Sequence, residues 1–199
     1  MQVRGEKFRS AEISATMSLS FPRSREMIVE RPNAITLKGQ PLTLVGPELK
    51  AGDQAPDFQV VGTNLKPLTL ADTKGKARIF SVVPSLDTPL CDTQTRRFNK
   101  EAAELKGAKI YSVSMDLPFA QSRWSTFAEV GRLVMLSDHK DASFGENYGT
   151  LIKELRLDTR AIFVVDESGV IRHAEYVGEV GEHPDYDAAL EAAKKILGA

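Results

Sequence analysis

Residues 77–83, Ala-Arg-Ile-Phe-Ser-Val-Val, form a nearly continuous apolar run rich in β-branched side chains, and a helical pattern follows shortly after it. Such a run suits a strand covered on both faces, which confines the chain to architectures with helices packed against a central sheet. The remaining segments agree with that order. Residues 109–115 alternate into a second central strand, 133–136 read as a short one, and 160–165 and 170–177 flank Asp166-Glu167-Ser168-Gly169 as a hairpin. Upstream, residues 35–38 and 41–45 bracket Gly39-Gln40 as a hairpin with a two-residue turn, and 58–61 and 68–70 are weaker strand candidates. Helical spacing covers 91–105, 119–130 and 186–197, and 142–151 reads as a helix or turn. Strand, helix and strand followed by a hairpin and a helix is an α/β order with mixed strand pairing.

The link between the central strand and its helix, Pro84-Ser85-Leu86-Asp87-Thr88-Pro89-Leu90-Cys91, carries the only cysteine in the chain. A thiol at a helix N-terminus faces unpaired backbone N–H groups and the positive end of the helix dipole, and both favour the reactive thiolate. Thr88 brings a hydroxyl to the same end of the helix. Each residue also has a plainer use. A lone cysteine is commonly a small buried hydrophobe, Thr88 can simply cap the helix, and Pro84 and Pro89 can end the strand and pre-shape the loop. Asp87 would oppose thiolate formation unless it points away, so it is left outside the candidate site.

The pattern Pro84…Thr88…Cys91 resembles the active-site signature of the peroxiredoxins, Pro-x-x-x-Thr-x-x-Cys. Three further blocks follow in family order. Asp116-Leu117-Pro118-Phe119-Ala120-Gln121-Ser122-Arg123 resembles the second block of one subgroup, the bacterial thiol peroxidases, which are atypical two-cysteine peroxiredoxins. Arg160-Ala161-Ile162-Phe163-Val164-Val165-Asp166 is similar to that subgroup's arginine-bearing strand, and Pro184-Asp185-Tyr186-Asp187-Ala188-Ala189-Leu190 to the start of its closing helix. The likeness implies a thioredoxin-like α/β fold, with a central mixed sheet flanked by helices and an N-terminal β-hairpin. It also implies a peroxidase in which Cys91 attacks hydrogen peroxide or an organic hydroperoxide and becomes a sulfenic acid. Thr88 would hydrogen-bond the thiolate and the peroxide, and Pro84 would shield the sulfur from bulk water. Arg160, which on its own reads as a solvated surface residue, would bring a fixed charge and a rigid donor fork to the sulfur. No metal or organic cofactor is implied. A symmetric homodimer and an external thiol reductant, such as thioredoxin, are.

One departure from the pattern matters. The subgroup usually places a second, resolving cysteine two residues after the arginine of the Asp-Leu-Pro-Phe-Ala-Gln block, and here that position is Ser125. A serine hydroxyl cannot condense with a sulfenic acid to form a disulfide, so recycling of Cys91 must come from outside the chain. Residues 126–130 drift from the usual run as well, which favours natural divergence over an isolated substitution. The competing reading is a non-enzymatic redox sensor or binding module that passes oxidation of Cys91 to a partner.

Other features exclude function classes. A net charge of -1 offers no basic field to nucleic acid or to an acidic membrane surface, and there is no apolar run long enough to span a bilayer. His139, His173 and His183 lack metal-ligand spacing, and Gly145-Glu146-Asn147-Tyr148-Gly149 lacks the lysine and the preceding strand of a phosphate loop. A single cysteine gives no sign of secretion, so a reducing cytoplasm is the expected compartment. Residues 1–26 are polar and aperiodic, without the apolar stretch of a secretory signal. The expected organisation is a disordered or extended tail, or an upstream translation start, over 1–26 and one thioredoxin-like domain over 27–199.

Overall fold

The computed structural model describes residues 29–73 and 75–198. The tail expected over residues 1–26 lies outside the described residues. In chain order the elements are β1 (Glu30–Leu37), β2 (Gln40–Val45), β3 (Gln59–Gly62), β4 (Pro67–Thr69), β5 (Ala77–Val82), α1 (Pro89–Glu101), β6 (Ala108–Ser114), α2 (Pro118–Phe127), β7 (Val134–Ser137), α3 (Ser143–Asn147), β8 (Leu151–Ile152), β9 (Leu157–Asp158), β10 (Ala161–Asp166), β11 (Ile171–Tyr176) and α4 (Tyr186–Leu197).

The apolar run becomes β5, in the interior of a seven-stranded sheet ordered β11-β10-β5-β6-β7-β3-β4. Every residue of β5 and of its neighbour β10 is buried, because helices cover one face and aromatic side chains the other. β5 pairs in parallel with β6, and β6 with β7, while β10 runs antiparallel to β5, so the sheet is mixed. Alternation along β5 divides the core in two. Ile79 packs with Phe98 of α1, Trp124 of α2 and Leu190 of α4, whereas Phe80 joins Phe58, Phe144, Tyr148 and Phe163 on the opposite face. There the rings of Phe144 and Tyr148 stack with centroids 4.1 Å apart.

Several boundaries differ from the sequence reading. The first hairpin turns at Lys38-Gly39 rather than Gly39-Gln40, since Leu37 pairs with Gln40 and both turn residues take positive φ, as this tight turn demands. The hairpin is also half of a larger unit: β2 pairs with β8, and β8 with β9, in a second, four-stranded sheet. α1 begins two residues before Cys91, with Pro89 at its first position, where a missing N–H costs nothing. α2 stops at Phe127 instead of continuing to 130, and Glu129 adopts a positive φ just beyond it. The helix or turn expected over 142–151 is a five-residue helix that gives way to β8.

Candidate active site

The strand β5 ends at Val82, and the chain passes through buried Pro84 into the first turn of α1. Thr88 is the N-cap residue, with extended backbone angles, and Cys91 follows as the third helical residue. The thiol is fully buried. Cys91 shares the inward face of α1 with Gln94, Thr95 and Phe98, the i, i+3, i+4 and i+7 positions of one helical stripe.

Arg160, immediately before β10, reaches this stripe from the strand that neighbours β5. Its Nη2 donates to Cys91 Sγ at 3.4 Å, its Nη1 to Gln94 Oε1 at 2.6 Å, and its Nε to the carbonyl of Val180 at 3.2 Å. Only 2% of the residue is exposed, so the guanidinium is held by three acceptors rather than by water. Gln94 is anchored in turn, its Nε2 donating to Ser81 Oγ on β5 at 2.8 Å. A buried cation thus lies beside the sulfur, at the N-terminal end of α1.

Thr88 does not cap the helix with its side chain. Its hydroxyl donates to the carbonyl of Ser85 at 3.1 Å, which commits the hydroxyl hydrogen and leaves the oxygen lone pairs free to accept. Asp87 is exposed and turns toward Arg123, 3.6 Å away, so its charge is solvated. Ser125 lies half-buried on α2, and its hydroxyl donates to the Ser122 carbonyl at 3.1 Å, an ordinary helical back-bond. Between the two helices runs a groove lined by apolar Leu86, Pro89, Trp124 and Phe127, and by Thr88. Phe127 is 85% exposed there.

Gln94 escaped the sequence reading, because a glutamine inside a helix ordinarily faces water. The available signal was its place three residues after Cys91 on the stripe that ends in Phe98. The histidines have separate partners: His139 Nδ1 lies 2.7 Å from Ser137 Oγ, and His183 Nδ1 2.8 Å from the Tyr186 hydroxyl.

A mixed sheet with a cysteine at the start of the helix after its central strand, and an arginine donating to that sulfur, defines a thiol-based redox protein of thioredoxin-like fold. The redoxin family model matches residues 50–190, and the chain belongs to that family. The thiol peroxidase of Halalkalibacterium halodurans is 54% identical over 164 residues, which is 82% of this chain and 99% of that protein. The thiol peroxidase of Bacillus subtilis is 55% identical over 163 residues, 82% of this chain and 98% of that one. Among solved structures, a peroxiredoxin-like protein from Aquifex aeolicus superimposes with a TM-score of 0.77 at 37% identity, over 85% of this chain and 98% of its own.

Proposed function

We propose that this protein is a one-cysteine thiol peroxidase acting through Cys91. The thiolate attacks the terminal oxygen of a hydroperoxide; the S–O bond forms as the O–O bond breaks, and the leaving oxygen takes up a proton to become water or an alcohol. Cys91 is left as a sulfenic acid. One external thiol then condenses with it, releasing water, and a second thiol frees Cys91 and departs as the disulfide. The observation that carries this reading is the buried Arg160 fork, whose Nη2 lies 3.4 Å from Sγ while its other nitrogens are fixed elsewhere. Thr88 accepts a hydrogen bond from the peroxide, backbone N–H groups of the first turn face the developing charge, and Pro84 keeps bulk water from the sulfur.

The reductant is a thiol, and thioredoxin, in a cytoplasmic setting, fits a chain that has no second cysteine of its own. A homodimer is also proposed: Leu117 and Phe119 at the start of α2, and Phe127 at its end beside the groove, are large apolar side chains left mostly exposed. The unit that carries the activity is the single domain over residues 27–199.

The test is loss of the Cys91 thiol on mixing with hydrogen peroxide or cumene hydroperoxide, followed by repeated cycles with dithiothreitol or thioredoxin. Rapid oxidation with sustained turnover, abolished in Cys91→Ser, is expected. Rapid oxidation that stops after one equivalent would favour a sensor, and oxidation no faster than that of a free thiol would refute the peroxidase reading.

A further inference from the structure

Asp116 lies outside the residues assigned above, in the middle of the short loop that joins β6 to α2. Its carboxylate accepts from three donors: Ser85 Oγ at 2.8 Å on one oxygen, and Leu86 N at 2.8 Å and Ser114 Oγ at 2.9 Å on the other. Two of those donors belong to the loop that delivers Thr88 and Cys91. Ser85 is the hub of that loop. Its hydroxyl, besides donating to Asp116, lies 3.3 Å from the Asp87 N–H, and its carbonyl accepts from both the Thr88 N–H at 3.2 Å and the Thr88 hydroxyl at 3.1 Å. The far side of the cluster is fixed as well, since Gln121 of α2 donates to Ser114 Oγ and to the Leu136 carbonyl, each at 3.0 Å.

We propose that Asp116 is a positioning residue for peroxide reduction, acting through Ser85 to hold the Thr88 hydroxyl as a hydrogen-bond acceptor facing the substrate. The inference rests on the peroxidase reading. Its logic is geometric: a hydroxyl has one hydrogen, and where that hydrogen goes decides what the oxygen offers. With Ser85 fixed by Asp116, the Thr88 hydrogen is spent on the Ser85 carbonyl and the lone pairs meet the peroxide O–H. Released from Asp116, Ser85 can swing, and Thr88 can rotate its hydrogen toward the peroxide instead. The carboxylate also ties the loop to α2, so the apolar groove wall and the sulfur keep their relative placement.

The test measures Cys91 oxidation by hydrogen peroxide under pseudo-first-order conditions, using the fluorescence of Trp124, the single tryptophan, with alkylation by iodoacetamide as the reference. Alkylation needs the thiolate and access to it, but no acceptor at Thr88. Asp116→Ala and Ser85→Ala should slow oxidation by about 10- to 100-fold, the size of a lost hydrogen bond to a charged group. Alkylation should stay unchanged or become faster. Thr88→Val should slow oxidation similarly, and adding Asp116→Ala to it should cost less than about threefold more, because both changes disable one relay. Equal slowing of oxidation and alkylation, or full additivity on the Thr88→Val background, would overturn the inference while leaving the peroxidase reading intact. An unaffected rate in Thr88→Val would overturn both this inference and the role given to Thr88, yet not that of Cys91. Ser85→Ala, which leaves the Leu86 and Ser114 bonds in place, keeps the test decisive if Asp116→Ala does not fold.

Discussion

At the scale of single residues, the site depends on how firmly Arg160 is held. Each of its donating nitrogens has a different acceptor, so each partner fixes a separate part of the fork and the loss of any one loosens it. Lysine in its place would keep the charge and lose the fork, because an ammonium on a flexible stem cannot satisfy Gln94, the Val180 carbonyl and Sγ together. Arg160→Lys is therefore expected to slow peroxide oxidation of Cys91 by about 10- to 100-fold, measured by stopped flow. Gln94→Leu should do two things, since it strips acceptor from Arg160 and donor from Ser81 in a fully buried place. Stability should fall by about 1–3 kcal/mol in urea titration, and oxidation should slow as the guanidinium loses its anchor. These residues also show what a sequence can reveal of a site. Pro84, Thr88 and Cys91 stand in one local motif and are visible together. Arg160 lies 69 positions from the sulfur it touches, and no spacing rule links them; only the resemblance did. Gln94 is close in sequence but is polar on a stripe otherwise read by its apolar members, so its burial shows only once the sheet is in place.

Elements rather than residues decide how the small sheet meets the large one. Gly149, with φ at +64°, sits where an added Cβ would collide with the carbonyl of Pro47 and come within 2.7 Å of Arg31 Nη2. That same Arg31 donates to the carbonyls of Gly46 at 3.2 Å and Gly149 at 2.6 Å, and its guanidinium lies 4.9 Å over the ring of Tyr176 on β11 of the large sheet. Gly149→Ala should thus cost about 2–3 kcal/mol in denaturant, combining an unfavourable φ with displaced backbone. α2 presents a different opportunity. Ser125→Cys would return a thiol to the position that the resembled subgroup uses. Since Cys91 is buried at the start of α1, a disulfide between them requires that turn to open. The expected outcome is loss of two thiols per peroxide consumed, counted under denaturing conditions; loss of one would show that α1 does not open far enough. The long apolar or alternating segments, β5, β6, β10 and α4, were readable because burial forces a period on them. β9 was not, since two residues carry no period, and the pairing of the hairpin with β8 depends on a contact more than a hundred residues away in sequence.

For the whole molecule, the strongest pH dependence should come from two carboxyls at the seam between the sheets. Asp138 follows β7 of the large sheet and accepts from the N–H groups of Phe144 and Gly145 at 2.9 and 2.8 Å; Asp158 ends β9 of the small sheet and accepts from Thr150 Oγ1 at 2.9 Å. Both flank Gly145, where an added Cβ would lie 2.5 Å from Asp158 Oδ1 and 3.3 Å from Asp138 Oδ2. Burial raises both groups, Asp158 to about 8, with the neighbouring Asp138 charge adding to the effect, and Asp138 to about 6. Glu146 and Asp141 push Asp138 the same way, while its two backbone N–H donors, and for Asp158 the Thr150 hydroxyl and Arg156, act in opposition. An acid whose folded value is raised keeps a proton that the unfolded chain releases. Its contribution to stability is fully present below the ordinary aspartate range, near pH 4, and drains away as pH rises through about 6 and about 8. The melting temperature of the protein should therefore fall between pH 5 and pH 8.5, as two buried carboxylates on either side of Gly145 become charged. Asp158→Asn removes the second charge and keeps an acceptor for Thr150. It should melt a few degrees above the parent at pH 8.5, with the gap closing toward pH 5. A gap that widens toward acid would mean that the pair is ionised in the fold and held by donors strong enough to outweigh its burial.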